Sequence, residues 1–399
     1  MNNRRDFLKL SALASASVLM PGFLQGLGKD SLDYTGKKLV IVQLSGGNDG
    51  LNSFVPYRND AYYKARPSLA IPAREVLTLN DELGLNPVMP ELKALYEEGQ
   101  LCIINNVGYP NPDRSHFRSM DIWHTASNSD EYWQSGWLGR YLDNSCAGCA
   151  KPHQVLELDD TLSLAVKGEQ LKALAVRDPN RLYRQTRDPF LAAMMEAYNS
   201  HAPSAQDELD YMYKTIAETT SSAAYLHEHA RVYTSRLDYP QGPFGRQLKT
   251  VAELICAGME TSVYYVSLTG FDTHVRQKPQ QERLLKQYSQ GMATFIRDLR
   301  QNDRLNETLI MTFSEFGRRV SENASGGTDH GKANQVLLMG GQLGKPGVFN
   351  PAPNLAQLDE GDLPFEIDFR QIYASLLHHW LEANDELILK RTFKRLDLF

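Results

Sequence analysis

The chain has 399 residues, 42% of them hydrophobic and 23% charged, with a formal net charge of −6. That is enough chain to bury a large core in one or more domains. The acidic balance, with no block of Lys and Arg, argues against a nucleic-acid partner.

The N-terminal stretch "NRRDFLKLSALASASVLMPGFL" sets Arg4 and Arg5 before Phe7-Leu8-Lys9 and an Ala/Ser-rich apolar run. This is the layout of a twin-arginine export signal, read by the twin-arginine export machinery. Residues 1–28 are assigned to the signal and 29–399 to the exported, periplasmic domain. The apolar run is short for a membrane span and is broken by Pro21 and Gly22, so no stable transmembrane domain is expected. No clean small-x-small cleavage site follows the run, since "ASA" at 14–16 comes too early, which leaves both cleavage and an uncleaved anchor open. The segment holds three basic residues and one acidic, so its removal would take the net charge from −6 to −8.

Beyond it, the apolar "KLVIVQL" (38–44) reads as a buried strand that runs into a glycine-rich loop with Asp49 among the glycines. A helical pattern over 86–100 precedes a second strand, 101–107, and the turn-rich "GYPNPDRSHF". Cys102 and Cys256 read as small core residues, and Cys146 and Cys149 as a local disulfide pinning a loop. The polar stretch at about 180–250 lacks strand patterns and reads as a helical insertion or cap. Further strands are predicted at 261–268, 307–313 and 334–340, with an amphipathic helix over 277–301 between the first two. A last helix spans 368–384, with His378 and His379 on its surface or in packing. Strands that are apolar throughout and alternate with helices give an α/β fold: a mostly parallel central sheet with helices on both faces.

Ligands of such sheets bind beyond the carboxyl ends of the strands. Asp49 follows the first strand, and Ser115 and His116 stand at a helix start after the second. Asp272 and His274 follow the third, Glu315 and Arg318 the fourth, and Asp329 and His330 precede the last. Carboxylates brought that close repel unless a cation compensates, so Asp49, Asp272, His274, Glu315, Asp329 and His330 are predicted to share a divalent metal. The mixed donors suit zinc or manganese.

The motifs "LSGGNDGLNSFVPY", "GYPNPDRSHFRSMDIW", "GWLGRYLD", "GFDTH", "TFSEFGRR" and "GGTDHGKANQVLLMGG" resemble the domain-of-unknown-function family 1501, placed in the alkaline phosphatase/sulfatase superfamily. The resemblance implies an alkaline phosphatase-like fold, with divalent metal on Asp and His at strand ends. Ser115 resembles the nucleophile, and Arg114, Arg118 or Arg318 would neutralise developing charge. The implied activity is metal-dependent hydrolysis of phosphate or sulfate esters, on a small-molecule or glycan-linked substrate. Phe316 stands where the superfamily often has His, and Pro110 in "PNPDR" disfavours formylglycine sulfatase chemistry. The alternative is a non-catalytic envelope protein whose partial site binds an anion, a glycan or a partner protein. On that view aromatics of "DIWHTASNSDEYWQSGWLGRY" stack on sugar rings, although Trp123, Trp133 and Trp137 read as core or loop anchors.

Overall fold

The structure, a computed structural model, describes residues 36–145, 151–191, 193 and 207–399. Residues 1–28, read above as an export signal, and the Cys146/Cys149 pair lie outside the described residues. Nine strands form one sheet. In chain order they are β1 (Lys38–Ser45), β2 (Leu101–Gly108), β3 (Val155–Glu157), β4 (Leu174–Ala175), β5 (Val263–Thr269), β6 (Thr308–Phe313), β7 (Asn334–Gly340), β8 (Gly347–Val348) and β9 (Ile367–Asp368). Across the sheet the order is β8-β2-β7-β6-β1-β5-β3-β4, with β9 also paired to β2. The described helices that pack on it include α1 (Pro90–Glu97), α2 (His116–Thr125), α3 (Trp137–Ser145), α4 (Asp207–His229), α5 (Pro243–Cys256), α6 (Gln277–Gln301) and α7 (Phe369–Ser375).

Side-chain alternation along β1 builds two cores. Val40, Val42 and Leu44 face one side, with Leu248 of α5 and Leu284, Met292 and Phe295 of α6. Leu39 and Ile41 face the other, with Trp123 of α2, Trp137 of α3 and Tyr373 of α7. Both faces are covered, so the strands carry no polar stripe. The expected α/β layering with a mostly parallel sheet is the one observed.

One strand runs against the rest. β1 pairs in parallel with β5 and β6, whereas β7 is antiparallel to both of its neighbours, β6 and β2. In a wholly parallel sheet, a segment that precedes a strand lies at the amino edge. The reversed β7 instead brings its leading segment, 328–333, to the carboxyl edge, where β1, β2, β5 and β6 end.

The helix expected over 277–301 is found as α6, Gln277–Gln301. The last expected helix is α-helical only over Phe369–Ser375 and continues as a π turn, Leu376–Trp380, with Trp380 Nε1 donating to the Lys38 carbonyl at 2.9 Å. Within the polar 180–250 stretch, α4 meets residues that precede strands. Ser222 Oγ lies 3.2 Å from His153 Nδ1, and the Tyr225 hydroxyl accepts from Glu260 N at 3.2 Å. These contacts put that part of α4 at the amino edge, away from the loops that carry the site. Among the described residues, no helix is long and apolar enough to cross a membrane.

Candidate metal centre

Three imidazoles converge on one carboxylate oxygen at the carboxyl edge. Asp272 Oδ1 lies 3.1 Å from His274 Nε2, 3.3 Å from His330 Nε2 and 3.4 Å from His116 Nε2. His274 Nε2 and His330 Nε2 are 2.9 Å apart. Potential ligand atoms of His116, Asp272 and His330 all lie within 4.8 Å of one another. His116 opens α2, Asp272 and His274 follow β5, and His330 leads into β7. Asp272 remains open to solvent.

The partners of the other ring nitrogens fix the tautomers. His330 Nδ1 faces the Arg114 carbonyl at 2.7 Å, which can only accept, so Nδ1 carries the proton. His116 Nδ1 faces Glu315 Oε1 at 2.9 Å, an oxygen that also accepts from Gly46 N at 2.8 Å. His274 Nδ1 faces Asp329 Oδ1 at 3.3 Å. With all three Nδ1 protons given outward, three Nε2 lone pairs point inward at a carboxylate. His116 Nε2 is buried and makes no hydrogen bond. Arg318 Nη2 sets one positive charge against that carboxylate oxygen, at 2.9 Å, and carboxylate- or carbonyl-anchored imidazoles are how proteins prepare a metal site.

Nearby charges tune these groups. Burial alone would raise the Asp272 pKa, but the hydrogen bond and positive charge of Arg318 oppose it, and the carboxyl is held at about 2. The Glu315 hydrogen bond raises the His116 pKa against the opposing effect of burial, while burial lowers that of His330. Asn323 and then His274 hold Asp329 below its ordinary value despite partial burial.

Glycines in the β1 loop allow this packing. Gly46 and Gly47 take φ of +118° and +74°, where other residues are strained. A Cβ on Gly46 would sit 2.3 Å from the Asp272 backbone nitrogen, and one on Gly47 2.3 Å from Phe316 Cε2. Phe316 is buried with its ring centroid 4.9 Å from that of His116 and 4.6 Å from that of His330. The aromatic residue thus buttresses two of the imidazoles.

Other predicted residues stand elsewhere. Asp49 does not join the converging donors. It is buried, with Oδ2 accepting from Arg66 Nη1 at 2.6 Å and from Gln277 Nε2. The glycines therefore seat the loop against Asp272 and Phe316 and do not deliver Asp49 to a shared pocket. Glu315 and Asp329 hold imidazoles through Nδ1 and sit one step back from the converging donors. Arg318 is buried, and its donors are spent on the carbonyls of Gly46, Gly47, Phe271 and Thr328 and on Asp272 Oδ1. It clamps four backbone carbonyls and steadies Asp272. Arg114 pairs with buried Asp362, and Arg118 donates to the carbonyls of Asn128, Ser129 and Glu131. Ser115 is the exposed N-cap of α2 and makes no side-chain capping bond.

His116 is the donor that the sequence placed at a helix start without giving it a metal role. Its signal was the strand-end position it shares with the other imidazoles. Nothing in the local pattern distinguished it from the neighbouring Ser115.

No curated protein sequence matches the chain. Among solved structures, similarity is found to the PsFucS1 sulfatase from Pseudoalteromonas sp., with 10% identity, 90% of this chain and 70% of that one covered, and a TM-score of 0.39. A protein in the alkaline phosphatase superfamily from Vibrio parahaemolyticus matches at 9% identity, 89% and 69% coverage and a TM-score of 0.41. The C-terminal periplasmic domain of EcEptC from Escherichia coli, in complex with Zn, matches at 12% identity, 77% and 73% coverage and a TM-score of 0.35. Likenesses this distant carry nothing about what this chain binds or turns over. The sequence model of one family, described as "Protein of unknown function (DUF1501)", matches residues 36–380, and the chain belongs to that family.

Proposed function

We propose that the protein is an exported, metal-dependent hydrolase of phosphate or sulfate esters, with His116, Asp272, His274 and His330 as ligands of a divalent cation. One observation carries the reading: three imidazoles, each tied back through Nδ1, turn their Nε2 atoms toward a single carboxylate oxygen. The unpartnered, buried His116 Nε2 fits a missing ligand bond, and a three-nitrogen, one-oxygen set suits zinc or manganese. Bound there, the cation would supply Lewis acidity toward an ester oxygen.

The chain's own groups would do the rest. Glu315, Asp329 and the Arg114 carbonyl hold the rings in register, and Arg318 orients Asp272. Ser115 is the candidate nucleophile. It directly precedes His116, its hydroxyl makes no cap bond, and the open N–H groups of the first turn of α2 favour an anion beside it. The twin-arginine pattern supports a periplasmic location.

The test is metal analysis of the full chain purified without added metal, together with a panel of phosphate and sulfate esters. About one tightly held divalent ion per chain and metal-dependent turnover are expected, with turnover lost in Ser115→Ala. A chain that holds no zinc or manganese, even when offered either, would overturn the reading.

A further inference from the structure

We infer that Asp362 is a positioning residue of the metal centre: by anchoring Arg114 it fixes the carbonyl that holds the His330 ring. The inference rests on the hydrolase reading above for the role of His330 as a metal ligand.

His330 Nδ1 gives its proton to the Arg114 carbonyl at 2.7 Å, so the aim of Nε2 toward Asp272 depends on where that carbonyl stands. No regular structure places it. Residues 112–115 belong to no helix or strand, and α2 begins only at His116. Asp113 is tied to α2, its carbonyl accepting from Ser119 Oγ at 2.5 Å, whereas the side chain of Arg114 is tied to Asp362.

Asp362 is itself firmly seated. It closes a tight turn in which Asp359 N donates to the Asp362 carbonyl at 2.9 Å and Asp362 N to the Asp359 carbonyl at 3.0 Å. Glu360 and Gly361 between them take φ of +54° and +86°, the left-handed pair that a two-residue turn of this hand requires. Leu363, next in the chain, belongs to a buried cluster that includes Val320 and Ala333. The Asp362 carboxylate is buried, and its Oδ1, which makes no hydrogen bond, stands 3.7 Å from Arg319 Nε.

A carboxylate stripped of water is costly unless cations stand beside it, so the buried group dictates where the Arg114 guanidinium sits. The other carboxylates of the turn have a weaker hold. Lys332 Nζ lies 2.6 Å from Asp359 and 3.6 Å from Glu360, and Arg114 Nη2 lies 3.8 Å from Glu360. Asp359 and Glu360 are exposed, and ion pairs open to water contribute little.

The test is the affinity of the full chain for zinc and manganese, measured by calorimetry on the wild type, Asp362→Asn, His330→Ala and the double variant. Asp362→Asn should weaken binding about tenfold, the lower end of what loss of an outer partner of a metal ligand costs. It should also shift the visible absorption bands of the cobalt-loaded chain, which report ligand geometry. In the His330→Ala background the same change should cost no further affinity, because its route to the metal is gone. Asp359→Asn, which breaks the exposed pair with Lys332, should leave affinity unchanged. If Asp362→Asn does not fold by circular dichroism, Arg114→Met carries the same cycle, since it cuts the same tie and keeps the backbone carbonyl. Equal affinity in wild type and Asp362→Asn, an equal loss with and without His330, or a like loss in Asp359→Asn overturns the positioning role and leaves the hydrolase reading standing. A wild-type chain that takes up neither zinc nor manganese overturns both.

Discussion

Asp49 and Glu315 are both buried carboxylates close behind strand ends, yet their partners give them opposite roles. Glu315 Oε1 holds the Nδ1 proton of His116, so Glu315→Gln should weaken zinc binding about 10- to 100-fold, as loss of an outer partner of a metal ligand does. Asp49 is joined to Arg66 and Gln277, so Asp49→Asn should leave zinc content intact. It should instead destabilise the fold by about 3–5 kcal/mol, because the buried Arg66 charge loses its partner. Competition with a zinc-binding dye measures the first effect and urea unfolding the second. Reversal of the two outcomes would restore Asp49 as a ligand.

The loops after β1, β5 and β6 act as one unit because Arg318 ties their carbonyls together. Lysine has a single ammonium and cannot reproduce a planar fork, so Arg318→Lys should leave several buried carbonyls unpaired. A loss of more than about 3 kcal/mol is expected in chemical denaturation, given roughly 1–3 kcal/mol for each unsatisfied buried group. Gly47→Ala combines a positive φ with a 2.3 Å approach to Phe316, so it should lower both the melting temperature and zinc affinity by displacing that ring from His116 and His330. Thermal unfolding with and without zinc separates the two losses. Much of this was legible beforehand at the level of elements. The long strands and α6 announced themselves through apolar runs and helical periodicity, whereas β4, β8 and β9, two residues each, are too short to leave a pattern.

Across the whole molecule, buried titratable groups far from the metal centre set the acid response. Burial first, then Lys151 and His229, push the His153 pKa down from the ordinary 6.5 to about 4. Between those values the unfolded chain takes up a proton that the folded chain refuses. Stability present above pH 6.5 therefore drains away as the pH falls toward 4, by about 3 kcal/mol at roughly 1.4 kcal/mol per pKa unit. Buried Glu157 acts oppositely: burial raises its pKa from 4.5 to about 7, so its contribution is lost as pH rises through that window. The effect of His153 is thus read as a difference. Unfolding free energies of the wild type and His153→Asn, measured from pH 7 to 4, should show a flatter decline in the variant. Equal slopes would mean that His153 titrates normally.

The sequence by itself determined the α/β class, the long strands and the carboxyl-edge loops, because hydrophobic periodicity is written locally along the chain. It also placed Asp272, His274 and His330 in one predicted site. Only the tertiary structure decided that His116 completes the set, that Asp49 turns away to Arg66, and that Glu315 and Asp329 stand behind the donors. Those roles depend on which atom lies within about 3 Å of which, across 17 residues for Asp49 and Arg66, 55 for Asp329 and His274, and 199 for Glu315 and His116. They depend also on the reversed direction of β7, which no local pattern encodes.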